Sequence, residues 1–154
     1  MGHLVSLLLV DDNQADATLV REALKASTLS VALHVVPDGL EALAFLHHEG
    51  PYTAAPQPDL MLLDLNMPRK DGHSVLAEVR RDPVLLCLPV VIFSSSGKQA
   101  DIDKSYELGA NWYVRKPLGL EEFFQAVRTA VEQWATFQAE PSESPTLIRA
   151  DLKA

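Results

Sequence analysis

Five short runs rich in apolar residues, at 4–10, 31–36, 60–63, 90–93 and 111–115, alternate with five stretches of helical character. The first, third and fourth runs are almost continuously apolar, the pattern of strands buried on both faces. Parallel strands need crossover helices between them, and the intervening stretches supply them. The first runs from a cap at Asp12 or Asn13 to Lys25, with Ala15, Leu19, Ala23 and Leu24 near helical spacing and Asp16, Arg21, Glu22 and Lys25 left for water. Others span 40–48 and 74–81, then run from the Ser94-Ser95-Ser96-Gly97 turn to Gly109, and from Leu120 to about residue 138. Pro37-Asp38-Gly39, Gly50, Asp82-Pro83 and Lys116-Pro117 punctuate the series. The alternation predicts an α/β doubly wound parallel sheet with helices on both faces.

A chain of 154 residues suits one such domain. Its expected bounds are 4–138, followed by a weakly structured tail, 139–154, carrying Pro141, Ser142, Ser144 and Pro145. No apolar run nears the roughly 20 residues that span a bilayer, and no signal-peptide pattern opens the sequence. Thirteen Lys and Arg against 21 Asp and Glu give a formal charge of -8, which disfavours a nucleic-acid partner. The single cysteine, Cys87, permits no internal disulfide and no thiolate cluster, in keeping with a cytoplasmic location.

In open parallel sheets ligands sit beyond the carboxyl ends of the strands. The first strand delivers Asp11 and Asp12 there, the third Asp64, the fourth Ser94 and the fifth Lys116. Singly, each has an ordinary reading as a cap, a turn acid, a hydroxyl on the backbone or a surface lysine. Five at one rim make a site the better account. Three carboxylates and one ammonium sum to -2, which favours a divalent cation, and an all-oxygen set favours a hard one such as Mg²⁺. A carboxylate beside such an ion, a lysine and a hydroxyl can attack phosphorus, so Asp64 is the candidate nucleophile.

Asp11-Asp12, Asp64 within Asp-Leu-Asn-Met-Pro, Asp71-Gly72, Ser94 and Tyr113-Val-Arg-Lys-Pro117 together resemble the receiver domain of bacterial two-component response regulators. The resemblance implies a flavodoxin-like sheet of order 2-1-3-4-5. It also implies a histidine kinase as partner and Asp64 as phosphoacceptor, in a signalling protein that catalyses its own phosphotransfer and dephosphorylation. Asp11, Asp12, Asp64 and the Asn66 carbonyl would hold Mg²⁺, with Asp11 acting mainly through a metal-bound water. Ser94 and Lys116 would contact the phosphoryl group, Ser94 and Tyr113 would form the switch, and the Lys116-Pro117 bond would be cis. The stretch 38–46, the Pro-rich loop with Tyr52 and the segment 105–110 resemble the stand-alone regulators of bacterial phytochrome histidine kinases. Gln14, Ala17 and the loop at Leu118 resemble the kinase-facing surface.

The last helix, at about 18 residues, is roughly 27 Å long, against roughly 17 to 20 Å for a typical strand. It is therefore expected to overhang the sheet and expose Trp134 and Phe137. These residues with Trp112 would form a homodimer interface across the fourth helix, fifth strand and fifth helix, and the output would be a protein contact or a phosphorelay. His47-His48 and Arg69-Lys70 read as solvated. Two other functions stay open: an Mg²⁺-dependent phosphatase with an Asp nucleophile, and a receiver-like binding module that never carries phosphate. Such phosphatases place a second acid two residues after the nucleophile, where this chain has Asn66, which cannot transfer that proton.

Overall fold

The computed structural model describes residues 4–135. Five parallel strands, β1 (Leu4–Val10), β2 (Ser30–Val36), β3 (Leu60–Leu63), β4 (Val90–Ser94) and β5 (Trp112–Arg115), stand in the order β2-β1-β3-β4-β5. The helices are α1 (Gln14–Leu24), α2 (Gly39–Leu46), α3 (Gly72–Arg81), α4 (Gln99–Glu107) and α5 (Leu120–Trp134), with a 3₁₀ turn at Gly50–Tyr52. Strand order reverses between β1 and β3. Their carboxyl ends are level, Val10 lying opposite both Val36 and Leu63.

Side chains of a strand alternate between faces, so each central strand feeds two cores. Leu8, Val10, Met61, Leu63, Val90 and Ile92 pack with Ala42, Phe45 and Leu46 of α2 and Val75, Leu76 and Val79 of α3. Val5, Leu7, Leu9, Leu60, Leu62, Val91 and Phe93 pack with Val20 and Ala23 of α1 and with α5. Both faces are sealed, which is why the central strands read as continuous apolar runs. On α1 the inward residues are Val20 and Ala23, while Ala15, expected inside, is exposed.

Three helices begin on an Asx side chain that accepts a backbone N–H three residues on, each at 2.9 Å: Asn13 from Asp16, Asp38 from Glu41 and Asp71 from Ser74. Asn13 takes the α1 cap and leaves Asp12 free for the rim. At Gly72 the chain passes so close to the Asp64 carbonyl that a Cβ would overlap it, and the Gly72 amide donates to Leu65 O at 3.0 Å. This folds the loop after β3 back against the strand end that carries Asp64.

Several expectations are corrected. Trp134 is 2 % exposed, inside the cluster with Val5, Leu7, Val20 and Ala23. An average strand would leave the helix overhanging, whereas β1 has seven residues, about 23 Å, and α5 has 15, about 22 Å. The helix matches the sheet, and Trp134 is core and not an exposed contact. Phe137 and the tail lie outside the described residues. Trp112 is half-buried on the β5 edge. The Lys116-Pro117 bond is trans, as are all peptide bonds among the described residues, in line with the preference of about 0.5–1 kcal/mol for trans X-Pro. Arg69 and Lys70 are not merely solvated: Arg69 Nη2 lies 2.6 Å from Asp38 Oδ2, and Lys70 Nζ 2.9 Å from Glu78 Oε2. His47 Nε2 lies 3.0 Å from Asp82 Oδ2. Among the described residues no helix is long and apolar enough to cross a membrane.

Candidate functional site

The strand ends place the acids first. Asp11 follows β1 and its amide donates to Val36 O at 3.0 Å; Asp64 follows β3 and its amide donates to Val10 O at 3.0 Å. Continuing the ladder by one residue in this way holds two carboxylates side by side. Asp11, Asp12 and Asp64 each offer an oxygen within 4.8 Å of the others. Asp11 and Asp64 are buried and Asp12 is exposed, so the cluster opens to solvent on one side. Asn66, two residues beyond Asp64, is exposed. It lines a cleft of about 500 Å³ together with Ser95, Ser96, Lys98 and Arg115.

Lys116 enters from the end of β5, its amide held by Ser94 O at 2.7 Å. Its ammonium donates to Asp11 Oδ2 at 2.7 Å, Asp16 Oδ2 at 2.8 Å and Asp64 Oδ2 at 3.4 Å. Burial works against that ammonium, but hydrogen bonds to Asp11 and Asp16 outweigh it and hold the lysine above its ordinary pKa. Asp11 is less well served. Burial pushes its carboxyl above the ordinary range, and the contacts from Lys116 and the Asn13 amide bring it only part of the way back. A buried acid that resists ionisation gains from any further positive charge beside it.

Asp64 is oriented by the Leu65 amide, which donates to Oδ1 at 2.8 Å. Oδ2 retains only the long contact to Lys116 among the hydrogen bonds at this carboxylate. Ser94 is fully buried at the end of β4, and its Oγ accepts from the Ser96 amide at 3.3 Å. The Tyr113 hydroxyl donates to Ser96 O at 2.7 Å, so one residue, Ser96, touches both Ser94 and Tyr113. Burial raises the Tyr113 phenol, which keeps it a donor. All five strand-end residues chosen from the sequence thus come to one rim, and Tyr113 reaches it through Ser96.

Asp16 was missed. Its side chain is 22 % exposed and paired with Lys116, although its place in α1 reads as a water-facing helix position. The available signal was an acid in the first turn of α1, close behind Asp11 and Asp12, and it does not name a lysine at the end of β5. Arg69 was also missed: in the left-handed region at φ 67°, it bonds Asp38 Oδ2 through Nε at 2.9 Å and Nη2 at 2.6 Å. Asp38 sits below its usual pKa because, although burial raises it, the Glu41 amide and the Arg69 guanidinium lower it further.

The oxygen-only cradle fits a hard divalent cation, and the Mn²⁺-bound crystal structure of the response regulator Rcp1 superposes with a TM-score of 0.81 at 42 % identity, covering 90 % of this chain and 99 % of that one. The Rcp1 sequence from Synechocystis sp. is 44 % identical over 128 residues, 83 % of this chain and 87 % of the relative. The crystal structure of the phosphorylated cyanobacterial phytochrome response regulator RcpA matches with a TM-score of 0.83 and 45 % identity, over 91 % of this chain and 100 % of that one. The family model of the response regulator receiver domain aligns with residues 7–128, from the middle of β1 into α5, and takes in every strand-end residue of the rim. The chain therefore belongs to the response regulator receiver domain family.

Proposed function

We propose that the chain accepts a phosphoryl group on Asp64 from a phosphohistidine of a histidine kinase and passes the signal on by protein contacts. The observation that carries this reading is the geometry at Asp64, a carboxylate of the acidic cradle whose Oδ1 is fixed by the Leu65 amide while Oδ2 faces Lys116. Oδ2 forms the new bond to phosphorus as the bond from phosphorus to the imidazole nitrogen breaks, and the imidazole keeps that electron pair. Asp11, Asp12, Asp64 and the Asn66 carbonyl would hold Mg²⁺, which when bound would supply positive charge at the phosphoryl oxygens. Lys116 turns from Asp64 to a phosphoryl oxygen, and Ser94 donates to another. Asn66 offers no acid for rapid hydrolysis, which favours a held signal over the phosphatase reading, and slow self-dephosphorylation ends it.

Likeness to RcpA favours a phytochrome-type kinase, meeting exposed Gln14, half-buried Ala17 and fully exposed Leu118 beside the rim. Drawing Ser94 toward the phosphoryl group pulls on Ser96, and through it on the Tyr113 hydroxyl. That bias reaches α4, β5 and α5, the face through which a homodimer would form with Trp112 at its edge. Mixing the chain with an autophosphorylated phytochrome-type kinase and Mg²⁺ tests the reading. Label should leave the kinase and appear on the parent chain; label that stays on the kinase, or is released only as free phosphate without ever residing on this chain, contradicts it.

A further inference from the structure

Asp16 lies on the first turn of α1, and its Oδ2 is 2.8 Å from Lys116 Nζ, about as close as Asp11 at 2.7 Å and closer than Asp64 at 3.4 Å. An ammonium has three N–H donors, and these three carboxylates take all of them. Two of the three acceptors, Asp11 and Asp64, also belong to the acidic cradle with Asp12. A cation and Lys116 therefore draw on the same two carboxylates. Among the described residues, Asp16 is the one acceptor of Lys116 outside that cradle.

We propose that Asp16 is a positioning residue that anchors Lys116 while Asp11 is given over to a divalent cation. The Lys116 side chain is only 9 % exposed, so water is a poor substitute for a lost carboxylate. With Asp16 in place, the ammonium releases Asp11 and keeps a short charged hydrogen bond. Without it, Lys116 holds Asp11 as its one short partner, and a cation entering the cradle must compete with that ammonium. Asp16 also fixes where the ammonium waits, within reach of Asp64 but not bound tightly to it. The inference rests on reading the rim as a cation-assisted phosphoacceptor site.

A calorimetric double-mutant cycle with Mg²⁺ alone separates this role from a plain charge effect. The four chains are the parent, Asp16→Asn, Lys116→Gln and the double variant, titrated at one pH and ionic strength. Asp16→Asn should weaken Mg²⁺ binding roughly tenfold, the scale of one charged hydrogen bond. In the Lys116→Gln background the same change should alter it less than about twofold, because nothing remains for Asp16 to hold. Asp16→Glu, which keeps the carboxylate, should recover part of the affinity. Equal affinity of Asp16→Asn and parent overturns the proposal, as does an equal loss in both backgrounds, the mark of a general field. If Asp16→Asn does not fold, the comparison of Asp16→Glu and Asp16→Ser with the parent decides, equal affinity of all three overturning it. A parent that binds no Mg²⁺ overturns both this inference and the reading beneath it, whereas a parent that binds Mg²⁺ normally confines any failure to Asp16.

Discussion

Two basic side chains at the carboxyl end of the sheet each gather several acids, and they do opposite things with them. Lys116 meets Asp11, Asp16 and Asp64, with Asp12 beside them, so four carboxylates against one ammonium leave three negative charges in excess. Arg69 meets Asp38 and Glu41, two against one, and is itself half exposed. Asp38 also caps α2, and Glu41 accepts from the Tyr52 hydroxyl at 2.6 Å, so the acids around Arg69 are already engaged. The Arg69 cluster pins the loop after β3 to α2, and beside it the Gly39 amide donates to Lys70 O at 3.2 Å. One cluster is satisfied and holds structure. The other is held short of satisfaction by the strands beneath it, and that deficit is what a cation and a phosphoryl group can use.

The contrast can be broken by exchanging which cluster is disturbed. Asp64→Asn should abolish phosphorylation entirely while leaving the melting curve cooperative, whereas Asp38→Ala should leave phosphorylation in place. A phosphorylated Asp64→Asn chain, or an Asp38→Ala chain that cannot be phosphorylated, would erase the distinction. Asp12→Ala should relieve repulsion in the metal-free protein, stabilising it by about 1 kcal/mol, the interaction of two charges about 4 Å apart in a water-like medium. Urea melts in the presence of a chelator read this, and added Mg²⁺ should then stabilise the variant less than the parent. A destabilised Asp12→Ala would mean that the rim acids are not in excess.

The expected effect at the satisfied cluster is of similar size and opposite sign. Asp38→Ala should cost about 1 kcal/mol, the usual loss of a helix cap. Its pH dependence follows from the depressed carboxyl of Asp38. An acid whose folded pKa is lowered contributes in full above its unfolded value, about 3.9, and loses that contribution as pH falls through the folded one. The gap between parent and variant should therefore be present at neutral pH and narrow below about pH 4. A gap that stays constant into acid would assign the loss to packing and not to the charged contacts.

The sheet and its rim were legible because burial on both faces writes continuous apolar runs, and because each candidate site residue comes at the end of one. Boundaries moved where a cap decides them: α3 begins at Gly72 and not at Ser74, since Asp71 caps it. Asp16 was illegible because its partner lies 100 positions away, and Arg69 because Asp38 is 31 positions off, across two elements. Local periodicity carries no record of such pairs. Trp134 was misplaced by assuming a strand of average length, an error that the seven residues of β1 correct.

On the proposed function, Asp64 itself carries the phosphoryl group. Incubating the chain with Mg²⁺ and a small acyl phosphate, then reducing with borohydride, converts an aspartyl phosphate to homoserine, which peptide mass spectrometry can place. Homoserine at position 64, and at no other aspartate, is the predicted result. Homoserine at Asp11 or Asp12, or its absence from a chain that has gained phosphate, would contradict the account.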